Sequence, residues 1–194
     1  MNERFEAGQP ASQPEIIAQF AQVHEACERF ALSLPAAEFV QPQGEKWSPA
    51  DHVRHLAKST FPVAKALRLP KPLLLALFGA SGGSSRSLPA LREVYLEKLR
   101  AGGQAGRFAP SQQEVTGDPE TYRREVLGRW RKAMTAVHTN THSWGEPALD
   151  RYRLPHPLLG RLTVREMLLF TLYHSVHHFN LLAARAEQRE RGDA

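Results

Sequence analysis

Four stretches of the chain repeat apolar residues at the spacing of one helix face, and almost nothing alternates as a strand does. From about residue 14 to 33, Ile16, Ile17, Phe20, Val23, Cys27, Phe30 and Ala31 recur at helical spacing, and Pro35 stops the pattern. The second stripe is Val53, Leu56, Thr60, Val63, Ala64 and Leu67. Its start is marked by Ser48 as a hydroxyl cap, Pro49 at the first helical position and Asp51 in the first turn, and Pro70 ends it at the latest. A third helix is predicted over about 118–138, with Tyr122, Val126, Trp130, Met134 and Val137 on one face. The fourth begins at Thr163, where Thr163 and Glu166 have capping-box spacing, and runs to about residue 190.

The connections are uneven. Residues 69–116 carry a short apolar helix at Lys71–Phe78, a flexible GASGGSSRS break, a second short helix at Leu88–Arg100 and the loop AGGQAGRFAPSQQ. A connection this long within a compact domain is usually functional or partly mobile. The stretch holding Pro147, Pro155, Pro157 and Gly160 reads as loop. The expected architecture is therefore all-α: one domain over 1–194, a four-helix bundle with a long, partly helical connection between its second and third main helices. Residues 1–12 are expected to form a disordered tail.

Composition adds mainly exclusions. The 194 residues suffice for a substantial core. Lys plus Arg number 25 against 20 acidic residues, but the cations are spread along the chain, so no specific nucleic-acid partner is expected. Cys27 is the single cysteine, so an intramolecular disulfide is excluded and a reducing, cytoplasmic setting is expected. The longest apolar run, PLLLALFGA, falls far short of the ~20 residues that span a bilayer, so no membrane partner is expected.

The candidate chemistry lies in YHSVHHFNLL, residues 173–182. Residues four apart on a helix share a face, so His174 and His178 point the same way. They continue the stripe of Met167, Thr171 and Leu181, where apolar side chains would ordinarily pack. An unpartnered imidazole buried there costs about 1–3 kcal/mol, a cost that a metal ion offsets well. His177 sits about 60° around the helix and is open to an i, i+3 pairing with His174 or to a neighbouring role. His52 and His55, at the start of the second helix, can face the pair across the bundle.

The stretch Trp47-Ser48 followed by His55-Leu56, together with HPLLGRLTVREMLLFTLYHSVHHFNLL, resembles the DinB/YfiT-like superfamily. The resemblance implies a four-helix bundle, commonly dimeric, holding a divalent ion through one histidine of the second helix and two of the fourth. Carried over by position, the ligands are His55, His174 and His178. Leu181 stands where the family often has a glutamine, with Asn180 beside it. The resemblance also implies two functional readings. One is a metal-dependent transferase (or isomerase) that uses a low-molecular-weight thiol on a small electrophilic substrate. The other is a non-catalytic, stress-related metal-binding or interaction protein.

A divalent cation on three neutral imidazoles keeps its full charge and would lower the pKa of a bound water or thiol; zinc, nickel, iron and manganese are all candidates. His177 and His52 are then candidate proton carriers, the catalytic residues of the enzyme reading. Cys27 reads as core of the first helix rather than as a nucleophile. Arg54 and Arg165 could attract a substrate carboxylate, although exposed helix-face arginines are the commoner case. The apolar run from Leu73 to Phe78 suits either a short core helix or an interface, and Trp47 reads as a packing anchor.

Overall fold

The structure is a computed structural model that describes residues 4–192 apart from 43, 45 and 112–114; the Glu190 side chain also lies outside the described set. Residues 1–3 of the expected tail, and part of the loop before the third main helix, thus fall outside the described residues.

Four long helices form the frame: α1 (Gln13–Ser33), α3 (Pro49–Ala66), α6 (Pro119–Thr141) and α8 (Val164–Glu190), with the short α2 (Ala36–Val40) between the first two. In the ring they form, α3 and α1 both pack on α6, and α8 closes against α1 and α3. The caps at Ser48 and Thr163 are as the sequence implies, and both are reciprocal capping boxes, with Asp51 and Glu166. The structure adds a box of Ser12 with Glu15 and a cap of α6 by Asp118. Inside, Trp130, Phe20, Phe179, Leu56 and Met134 are almost wholly buried. Burial of Cys27 pushes its thiol strongly up, so it is inert core rather than a nucleophile.

The long connection carries α4 (Lys71–Phe78), α5 (Leu88–Arg100) and a single 3₁₀ turn at Gly106–Phe108. Between α6 and α8 the expected loop is in fact ordered. It holds the short α7 (Glu146–Arg151) and an antiparallel hairpin of β1 (Arg153–His156) and β2 (Gly160–Thr163), paired Leu154 to Leu162 and His156 to Gly160. Leu154 and Leu162 turn inward and are buried, which gives the hairpin an apolar anchor. At the start of α8, Glu166 takes both the backbone N–H and the Nε–H of Arg86, pinning the connection to the bundle.

The described part of the expected tail also departs from expectation. Phe5 and Ala7 are buried, Phe5 standing edge-on to Phe30 and Phe179. The Asn180 side chain accepts from the Phe5 N–H at 2.9 Å and donates to its carbonyl at 3.0 Å. One aromatic side chain and one amide thus hold in place a segment whose composition is otherwise polar. Among the described residues no helix is long and apolar enough to cross a membrane.

Candidate metal centre

Packing of α3 against α8 sets the geometry. The cap at Ser48 fixes the first turns of α3, which carry His52 and His55, and α8 presents His174 and His178 one turn apart. His174 Nε2 lies 3.1 Å from His55 Nε2 and 3.1 Å from His178 Nε2. One ligand atom from each of His55, His174 and His178 falls within 4.8 Å of the others, and all three rings are buried. These three residues could hold a metal ion.

Burial dominates their electrostatics. Desolvation drives His174 and His178 well below the ordinary imidazole range, and the neighbouring rings add to the effect. His55 is lowered too, again chiefly by desolvation, although its bond to Phe108 opposes the shift. His52 is pushed down to about 3 by burial, then by the adjacent Arg185 charge. All four rings are therefore neutral near pH 7, the state in which imidazole binds metal.

The hydrogens can be assigned from partners that only donate or only accept. The Phe108 carbonyl lies 2.9 Å from His55 Nδ1, so that nitrogen donates and Nε2 keeps a lone pair aimed at His174. Arg185 Nη1 stands 3.2 Å from His52 Nε2 and can only donate, so His52 carries its hydrogen on Nδ1. His52 Nδ1 then donates to His178 Nδ1 at 2.7 Å, which leaves the hydrogen of neutral His178 on Nε2, facing His174. A single His174 nitrogen cannot satisfy both approaches. If it accepts from His178, two lone pairs meet at His55; if it donates to His55, two hydrogens meet at His178. A cation in the hydrogen's place relieves either conflict, so the donor set fits a metal ion once that hydrogen leaves His178.

Trp47 covers the outer side of the rings. It stacks on His178 at 6.3 Å with a 10° tilt and meets His55 at 5.2 Å and His52 at 5.4 Å. It is thus part of the site, as well as an anchor at the helix start. On the other side Phe170 stacks on His174, 5.3 Å away. Beyond the triad opens a cavity of about 410 Å³, within the range of small-molecule sites. Its walls come from α3, α8, α5, the 3₁₀ turn and β1. Part of the long connection, including Tyr95, Leu99 and Phe108, therefore serves as a pocket wall. Tyr95 of α5 stands edge-on to His174 and His177, its phenol raised to about 12 by burial and hence neutral.

The other candidates separate from the triad. His52 stands behind His178 as its hydrogen-bond partner, and His177 lines the cavity. Arg54 is engaged with Asp51 and the Ser111 backbone and side chain. Arg165 is held by Asp150 and Glu146 and by the Ala11 carbonyl. Both arginines are structural ties and do not line the cavity, so the carboxylate alternative finds no support there, and ion pairing replaces the exposed helix-face setting that was expected. Sequence reasoning missed the Phe108 carbonyl, Arg185 and His156. The first two owe their roles to tertiary proximity, without a spacing signal; His156 was visible within HPLLG but read as lead-in.

The comparisons agree with this architecture. The DinB superfamily model matches residues 19–182. Among solved structures, TT2238, described as a four-helix bundle protein, aligns with a TM-score of 0.54 at 18% identity. The alignment covers 89% of this chain and 99% of that one. At that identity the likeness bears on the fold alone. No curated protein matches the chain.

Proposed function

The chain belongs to the DinB superfamily, and from that premise we propose that it is a divalent-metal protein whose ligands are His55, His174 and His178. We further propose that it is a transferase that joins a low-molecular-weight thiol to a small electrophile in the adjoining cavity. The observation that carries the reading is the convergence of three buried, neutral imidazoles at the edge of a pocket large enough for a substrate. Three protein ligands suit an open site better than a closed structural one.

An ion held there would supply Lewis acidity, lowering the pKa of a bound thiol towards neutrality. The chain's own residues do the rest. The Phe108 carbonyl holds the His55 ring with its Nε2 lone pair inward. His52 lies between His178 Nδ1 on one side and Arg185 on the other, and so holds the His178 ring in place. Trp47 and Phe170 keep water from the ring faces. His177, at the cavity wall, is the candidate to carry the substrate's proton. The non-catalytic reading assigns residues 69–116 to partner binding, whereas Tyr95 and Leu99 of α5 and Arg107 and Phe108 of the 3₁₀ turn line the pocket.

The test is metal analysis of untagged protein beside His174→Ala. Wild type should retain about one ion per chain and the variant almost none; equal contents would remove the site. Thiol-dependent turnover of a panel of electrophiles, with and without chelator, tests the reaction. A metal-loaded chain inert towards every thiol would refute the transferase reading while leaving the metal site standing.

A further inference from the structure

One polar group on the cavity wall is left unused by the triad. His156 ends β1, and its Nδ1 accepts the backbone N–H of Leu158 at 3.2 Å and of Leu159 at 3.0 Å. Two donors on one nitrogen fix the tautomer, so in the neutral ring the hydrogen sits on Nε2. Burial pushes this histidine down to about 4, and the ring is therefore neutral throughout the physiological range. Phe170 packs edge-on against it at 4.4 Å and, with its other contacts, stacks on His174. Among the described residues Nε2 has no hydrogen-bond partner, yet it is not one of the atoms sealed from solvent. His156 is among the residues that line the cavity, so a molecule bound there lies against this residue.

We propose that His156 Nε2–H is a fixed, uncharged hydrogen-bond donor that recognises the carbonyl oxygen of an apolar-bodied molecule bound beside the triad. Much of the surrounding wall is apolar: Leu154, Pro155, Leu158, Met167 and Phe170. A neutral carbonyl placed against this wall gains a hydrogen-bond partner without the desolvation cost of a charge. The donor itself has no internal alternative, so occupancy by a carbonyl satisfies both groups at once. The turn hydrogen bonds hold the ring in place before any ligand arrives, which limits the ordering cost of recognition. This assignment deepens the reading of the cavity as a substrate pocket, but it does not depend on the ion.

The test uses two probes of similar size, benzylacetone and butylbenzene, titrated into the full-length chain and followed through Trp47 fluorescence or by calorimetry. Two variants remove the donor. His156→Asn keeps a short acceptor for the turn N–H groups but has nothing that reaches the position of Nε2, and His156→Phe keeps the ring's bulk. Both should weaken the ketone about tenfold, the worth of one buried hydrogen bond, and leave the hydrocarbon within about twofold. The same selective loss should appear in a His174→Ala background, where the proposed ion is absent. Equal loss for both probes would mean that His156 only shapes the hairpin, and no change for either would mean that the donor is idle; each result overturns the proposal. Failure of the wild-type chain to bind either probe would overturn it as well. Loss of metal in His174→Ala with the ketone effect intact separates the two readings, as does metal retained in His156→Asn with that effect missing.

Discussion

Acidifying the metal-free chain from about pH 7.5 to about pH 5.5 should remove a large part of its folding stability. The perturbation acts on rings that are neutral in the fold. His174 and His178 lie well below the ordinary value of 6.5, and His52 lies at about 3, all chiefly because they are buried. In the unfolded chain each regains the ordinary value and takes up a proton below it. Lowered folded values mean that the unfolded state binds more protons, so stability is full above about pH 6.5 and falls as the pH drops. Each ring contributes about 1.4 kcal/mol per pH unit, so the three together cost about 4 kcal/mol one unit below their ordinary value. Small domains are stable by roughly 5–15 kcal/mol in all, so the loss should be plain in urea titrations followed by tryptophan fluorescence in chelator. His55 and His156 shift in the same direction and can only steepen the curve. The loss should continue until the pH nears 3, where His52 itself becomes charged in the fold. Replacing His52 by Gln should remove roughly one third of the three-ring slope. A stability that moves by less than about 1 kcal/mol across the interval would refute the reasoning, because the rings would then have to be hydrated or already charged in the fold.

Three further outcomes follow from packing and exposure. Asn180→Ala removes both hydrogen bonds to Phe5 and should cost about 1–2 kcal/mol, read as faster proteolytic clipping of the N-terminal segment. Cys27 should resist thiol reagents in the native chain and react only on unfolding, since it is fully buried; rapid native labelling would contradict its place in the core. Leu73 and Leu77, 42% and 51% exposed on α4, offer an apolar face for the dimer that the family resemblance leads one to expect. Leu77→Lys should shift a dimer to monomer in sedimentation, and an unchanged mass would place the interface elsewhere.

The frame was legible because its signals are local. Proline-led starts and capping boxes at Ser48 and Thr163 mark helix ends within a few residues, and the apolar stripes are long enough to show their period. The i, i+4 spacing of His174 and His178 was likewise visible, because a helix turns spacing directly into proximity. The hairpin at 153–163 was not: it is short, holds two prolines in or beside it, and owes its place to Leu154 and Leu162 meeting the bundle. The tie between Phe5 and Asn180 joins residues 175 apart in sequence, which no local pattern encodes. The same holds for the Phe108 carbonyl, a backbone group whose role depends only on where the chain passes.

The division of the cavity wall between frame and connection has an evolutionary side. The imidazoles belong to α3 and α8, which also supply much of the core, and exchanges on those buried faces disturb the whole molecule. Part of the wall a guest would touch belongs to α5, the 3₁₀ turn and β1, which lie outside the four-helix frame. Selection can therefore retailor the choice of guest by altering these segments while the imidazole cluster keeps its shape, with one restriction: whatever replaces Phe108 must still bring a carbonyl to His55.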